Sequence, residues 1–222
     1  MSILRGISNC KPDDIIMISD VDEIPDPDIV SGLLHNKVDC LINEHFGIRS
    51  ISRQIKRLES VYGENWYEIN KSCRNILEYG PLVLNQKFYY YYMNCECNEP
   101  WYGTVVCLFK NISNPQLLRN QRNRLPFIKN AGWHFSYLGG KDRILEKLNA
   151  IVEGGLIKKN PLLSKGYSLD ELVEYCIDNG IDLFGREGMD FKFIASSQIG
   201  LPADAFKHFS FVDLGLIKEK NR

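Results

Sequence analysis

The chain has 222 residues, 44% of them hydrophobic and 25% charged, the proportions of an ordinary globular protein with one fair-sized core. A formal net charge of −1 gives nucleic acid or an anionic membrane no bulk attraction, and no run of about 18 apolar residues is present to cross a bilayer. No apolar stretch of signal-peptide type opens the sequence, and seven scattered cysteines form no disulfide framework; a cytoplasmic, reducing compartment is expected.

Ile15, Ile16, Met17 and Ile18 form a short apolar run between Asp14 and Ser19, which reads as a strand buried on both faces and expects parallel neighbours. Asp20, Val21, Asp22, Glu23, Ile24 and Pro25 follow directly. Two carboxylates therefore emerge at a strand's C-terminal end, where open α/β sheets bind ligands. Two hard oxygen donors there suit Mg²⁺ or Mn²⁺, which would in turn hold a phosphate-bearing substrate. The stretch is not an EF-hand, because the required Gly falls on Pro25 and the required Glu on Ser31.

Asp26, Pro27 and Asp28 then supply a capping acid, a helix-starting proline and a first-turn acid. Ile29, Val30, Leu33 and Leu34 give that helix an apolar face. Residues 38–42 read as a strand. Ile51, Ile55 and Leu58 recur at helical spacing, with Arg49, Arg53, Lys56 and Arg57 on the other sides. Residues 82–92 and 104–109 are expected as strands joined by an irregular connection over 94–101. Alternation through Phe88, Tyr89, Tyr90, Tyr91 and Tyr92 predicts one core-facing side. Cys95 and Cys97 lack the further ligands of a zinc set and read as buried thiols. Residues 132–137 form another strand candidate. Ile144, Leu145, Leu148 and Ile151 mark a helix after Gly139 and Gly140. Ser168 and Glu171 form a capping box ahead of Leu172, Val173, Cys176 and Ile177, and Gly180 ends that helix. With no repeat or linker, one domain over residues 1–222 is the economical expectation.

Three strings in this order resemble glycosyltransferase family 17, the family of the enzyme that adds the bisecting N-acetylglucosamine to N-glycans. They are Asp14 through Pro25, Ala131-Gly132-Trp133-His134-Phe135-Ser136-Tyr137, and Asp182-Leu183-Phe184-Gly185-Arg186. The aromatic run ending at Tyr92, followed by Trp101-Tyr102-Gly103, is similar to the middle of bacterial-type members. The resemblance implies an α/β fold of the GT-A type, a mixed sheet flanked by helices. It also implies a Mn²⁺ or Mg²⁺ cofactor, a UDP-sugar donor, a glycan acceptor and an inverting transfer. Members carry a substantial segment ahead of the Asp-x-Asp strand, whereas about one helix precedes it here. The resemblance therefore implies a domain lacking its first strands.

On this reading Asp20 and Asp22 hold metal and donor, with Glu23 orienting them from behind. His134 is either a further metal ligand or a core histidine. Trp101 is either a sugar-stacking surface or local packing, as is Tyr102. An inverting transfer needs a carboxylate to take the acceptor proton. Asp142 is the first choice, although helix capping also explains it, and Glu99 and Asp190 stand behind it. Arg119, Arg122, Arg124 and Lys129 form a basic stretch that reads as a solvated loop or as diphosphate neutralisation. Two other readings stay open. One is an inactive, truncated family member that only binds. The other is a haloacid-dehalogenase-type phosphatase with Asp20 as nucleophile and Asp22 as acid.

Overall fold

A computed structural model describes residues 5–38, 76–78, 80–112, 114–150, 157, 159–202 and 215–218. In chain order the elements are strands β1 (Ile15–Ile18) and β2 (Glu23–Pro25), helix α1 (Pro27–Leu34), and strands β3 (Leu82–Tyr90), β4 (Cys95–Cys97) and β5 (Trp101–Leu108). Helix α2 (Pro115–Asn120), strands β6 (Phe127–Ile128) and β7 (Gly132–Ser136), and helix α3 (Gly140–Ala150) follow. Helices α4 (Pro161–Ser164) and α5 (Leu169–Asn179) and strand β8 (Phe191–Phe193) complete the set. Most of the strand expected at 38–42, and all of the helix expected around Ile51, Ile55 and Leu58, lie outside the described residues. No helix among the described residues is long and apolar enough to cross a membrane.

The chain divides into two compact units. The first comprises residues 1–86 and 101–134, the second residues 87–100 and 135–222. Both contain helices and strands, so the fold is mixed α/β.

In the first unit, β1 pairs antiparallel with β5, from Ile15 opposite Leu108 to Ile18 opposite Val105. β5 pairs antiparallel with β3, and β6 runs parallel to β3 at Val83 and Leu84. The sheet is therefore mixed, whereas β1 alone had predicted parallel neighbours. Apolar contact on both faces is what makes a strand read as a continuous apolar run, and the antiparallel sheet supplies it, with Ile18 buried and Ile15, Ile16 and Met17 half-buried. Ile15 and Met17 join Leu33, Leu82, Leu84, Val106 and Leu108 in one cluster. Ile16 and Ile18 join Val83, Val105, Cys107 and Leu118 in another. Strand alternation puts these clusters on opposite faces, so α1 covers one face through Leu33 and α2 the other through Leu118. Each buried aliphatic side chain contributes about 1.5–3 kcal/mol relative to exposure. Asp26 caps α1 by accepting from the Asp28 backbone N–H, with Pro27 opening the helix.

In the second unit, Tyr89 of β3 lies opposite Glu96 of β4, and β4 pairs antiparallel with β8. The connection expected to be irregular thus contains a strand, and β5 starts at Trp101 instead of at Thr104. Phe88, Tyr89, Tyr90 and Tyr91 are all buried, so both sides of that run are core, not one. Tyr90 stacks on Phe191, and Tyr91 donates its hydroxyl to the Ile181 carbonyl. Cys95 and Cys97 are buried free thiols. The capping box of Ser168 and Glu171 opens α5, and Gly180 closes it in the left-handed conformation. Lys141 of α3 ties that helix to Asp170 and Glu174 of α5.

Candidate functional site

The site residues of the first unit gather around the turn between β1 and β2. β1 ends at Ile18; Asp20 follows it, and a two-residue turn of Val21 and Asp22 leads into β2. Val21 at the tip is 99% exposed, so the flanking acids are presented by an apolar residue that burial does not explain. Ser19 anchors the base of the turn. Its hydroxyl donates to the Glu23 carbonyl and lies 2.7 Å from the hydroxyl of Thr104.

Glu23 is the buried centre. It is the one buried acid of the turn, and a buried carboxylate persists only when its oxygens are bonded. One oxygen accepts from the Trp101 indole N–H at 2.9 Å and faces Arg122 at 3.3 Å. The other accepts from the Asp20 backbone N–H at 3.0 Å. Glu23 thereby fixes three neighbours: the Asp20 backbone, the Trp101 ring and the Arg122 guanidinium.

β2 pairs antiparallel with β7, and the register sets Glu23 opposite His134. Gly132 makes this pairing possible. Its φ is +134°, and a Cβ there would lie 2.1 Å from the Ile24 carbonyl oxygen, a contact no side chain tolerates. His134 is buried and its imidazole stacks on Trp101 at 4.3 Å and 8°. Arg122 also engages that indole, 4.5 Å from its centroid. Trp101, a candidate sugar surface, is thus packed against an imidazole and a guanidinium and hydrogen-bonded to Glu23. Burial lowers the Arg122 pKa, with the Glu23 charge opposing that shift.

Of the three expected metal ligands, two come together. Asp22 Oδ1 and His134 Nδ1 are 3.7 Å apart, a separation that one cation with ligand bonds of about 2.1 Å can bridge. Asp20 is instead ion-paired with Arg119. Among the described residues no group of three or more His, Cys, Asp or Glu forms a metal-binding set. A carboxylate and an imidazole fit Mn²⁺ or Mg²⁺ of the kind that takes one or two protein ligands and completes its shell with water and substrate phosphate. They do not fit a closed structural site, which needs four protein donors.

The basic stretch resolves into two kinds of residue. Arg119 on α2 and Arg122 on the 3₁₀ turn Arg122–Arg124 reach the acids of the β1–β2 turn. Arg124 and Lys129 are exposed. Sequence separation near one hundred residues hid the first pair. A further feature went unread: Gln86, opposite Trp101 in the β3–β5 register, is fully buried, and neither amide atom has a partner among the described residues. The missing Cβ of Gly103 gives its Oε1 room.

Asp142 lies in the second unit, exposed within the first turn of α3. It sits inside the helix, where a negative charge complements the N-terminal dipole, not ahead of it as a cap would. Glu99 and Asp190 are exposed in the same unit. Asp182, from the third string of the resemblance, is buried. It accepts from the backbone N–H groups of Phe184 and Arg186 and pairs with the Arg186 guanidinium. Compared with known protein families, curated proteins and solved structures, the chain finds no match.

Proposed function

We propose that the chain is a metal-dependent inverting glycosyltransferase, moving a sugar, N-acetylglucosamine by the family resemblance, from a UDP-sugar to a glycan acceptor. The observation that carries this reading is the approach of Asp22 to His134 at 3.7 Å, beside a turn already rich in acid and arginine. Asp22 and His134 would hold Mn²⁺ or Mg²⁺, which when bound neutralises charge on the departing diphosphate as a Lewis acid. Glu23 holds Trp101 and Arg122 in place. Trp101 in turn supports the imidazole plane of His134.

In an inverting transfer the acceptor hydroxyl oxygen bonds to the anomeric carbon as the bond to the diphosphate oxygen breaks. A carboxylate takes the hydroxyl proton, a role worth typically ~10²–10⁴-fold.

Calorimetric titration of UDP with and without Mn²⁺ tests the reading. Wild type binds UDP in a Mn²⁺-dependent manner, and Asp22→Asn weakens that binding by about tenfold or more, as loss of a charged partner does. Mn²⁺-independent binding, or equal binding by the variant, refutes it.

A further inference from the structure

We propose that Arg119 holds Asp20 in place of a divalent cation and passes to a phosphate oxygen when cation and diphosphate enter together. One guanidinium then couples the two ligands. The inference rests on the proposed function above and adds a residue that makes neither ligand bind well alone.

The pairing of charges motivates it. Asp20, Asp22 and Glu23 bring three carboxylates to the turn, and Arg119 and Arg122 bring two guanidiniums. A divalent cation entering alone would compete with Arg119 for Asp20 and leave that guanidinium without its counter-charge. An anionic diphosphate entering alone would meet three carboxylates. Entering together, the cation takes over Asp20 and the diphosphate takes over Arg119.

The two arginines are not equivalent. The Glu23 side chain is inaccessible to solvent and is bonded to Trp101 and the Asp20 backbone as well as to Arg122, so Arg122 is committed. Asp20 keeps 45% of its side-chain surface exposed and Arg119 keeps 22%. A pair of that exposure separates at less cost than the one at the wholly buried Glu23 carboxylate. The Arg119 Nε–H is buried with no acceptor among the described residues. A guanidinium carries five donors in a planar fork suited to phosphate oxygens, so Arg119 has donor capacity that Asp20 leaves unused.

The experiment compares wild type, Arg119→Gln and Arg119→Lys by calorimetry, with Mn²⁺ alone and with preformed Mn²⁺–pyrophosphate as the probes. Arg119→Gln is expected to bind Mn²⁺ alone about tenfold more tightly than wild type and Mn²⁺–pyrophosphate about tenfold more weakly, within the usual range of coupling between two sites. Arg119→Lys, which keeps the charge but not the planar fork, retains the wild-type affinity for Mn²⁺ alone and binds Mn²⁺–pyrophosphate with an affinity between those of wild type and Arg119→Gln. Changes of opposite sign distinguish coupling from general damage, which weakens both. If Arg119→Gln weakens both, or leaves Mn²⁺ affinity unchanged, while Asp22→Asn abolishes binding, the coupling is refuted and the metal site stands. If wild type binds neither probe, both are refuted.

Discussion

Gly132 shows how much of the site depends on one missing atom. A Cβ there would meet the Ile24 carbonyl oxygen at 2.1 Å and the Asp26 amide nitrogen at 2.9 Å. Both are backbone atoms with no rotamer to move. Gly132→Ala is therefore expected to lower stability by about 1–3 kcal/mol through the strained conformation. By forcing β7 away from β2, it should also weaken Mn²⁺ binding per folded molecule. Urea denaturation with a parallel Mn²⁺ titration checks both effects, and an unchanged midpoint contradicts the close approach. The Gly-Trp-His string was visible in the sequence, and its spacing predicted a strand. Nothing local could disclose that the glycine serves a strand some hundred residues earlier. Glu23 is similar: it was expected to orient Asp20 and Asp22 from behind, but only the convergence of the Trp101 indole, the Arg122 guanidinium and the Asp20 amide explains its burial.

The signals that succeeded at the scale of elements were local ones. Asp26 with Pro27, Ser168 with Glu171, and Gly180 each act within one helical turn, and each was readable. Strand partners are set by distant residues, which is why the antiparallel pairing of β1 and the inclusion of Trp101 in β5 were missed. The loop from Asp182 to Arg186 makes a quantitative case. Asp182 Oδ2 accepts from the Phe184 and Arg186 amides at 3.0 and 2.9 Å, and Oδ1 from the Arg186 guanidinium at 2.6 Å. Asp182→Ala would orphan two backbone donors and one partly exposed cation. The expected loss is about 2–4 kcal/mol, below the full cost of breaking a wholly buried pair because Arg186 reaches water. Thermal unfolding of the variant checks it. A loss within about 0.5 kcal/mol, typical of a surface site, would mean that the loop is held by other contacts.

Both units carry thiols whose ionisation burial opposes. The Cys107 pKa is pushed up to about 11 in the first unit, and those of Cys95 and Cys176 to about 12 in the second. The folded state keeps these protons beyond the ordinary thiol range of about 8.5. Their contribution to stability is therefore intact below that range and is lost as pH rises through it towards the folded values. The urea midpoint should fall between pH 8 and about 10.5, and Cys107→Ala should reduce the slope of that fall. A midpoint independent of pH over this interval would show the thiols to be solvated. The division into two units was not legible, because neither unit is a continuous stretch of sequence and no linker marks the crossings.

The long sequence separation between strand partners governs the order in which the protein can be made. β1 leaves the ribosome with its apolar residues exposed, and its partner β5 follows roughly 90 residues later, a wait of about 5–20 s at ordinary rates of synthesis. β2 waits longer for β7. Among the described residues β5 is the partner of β1, so the edge that β5 will occupy stays open throughout that interval, when intermolecular pairing competes most effectively. Slower growth temperatures or chaperone supply should raise the yield of folded protein more than stabilising the finished fold would.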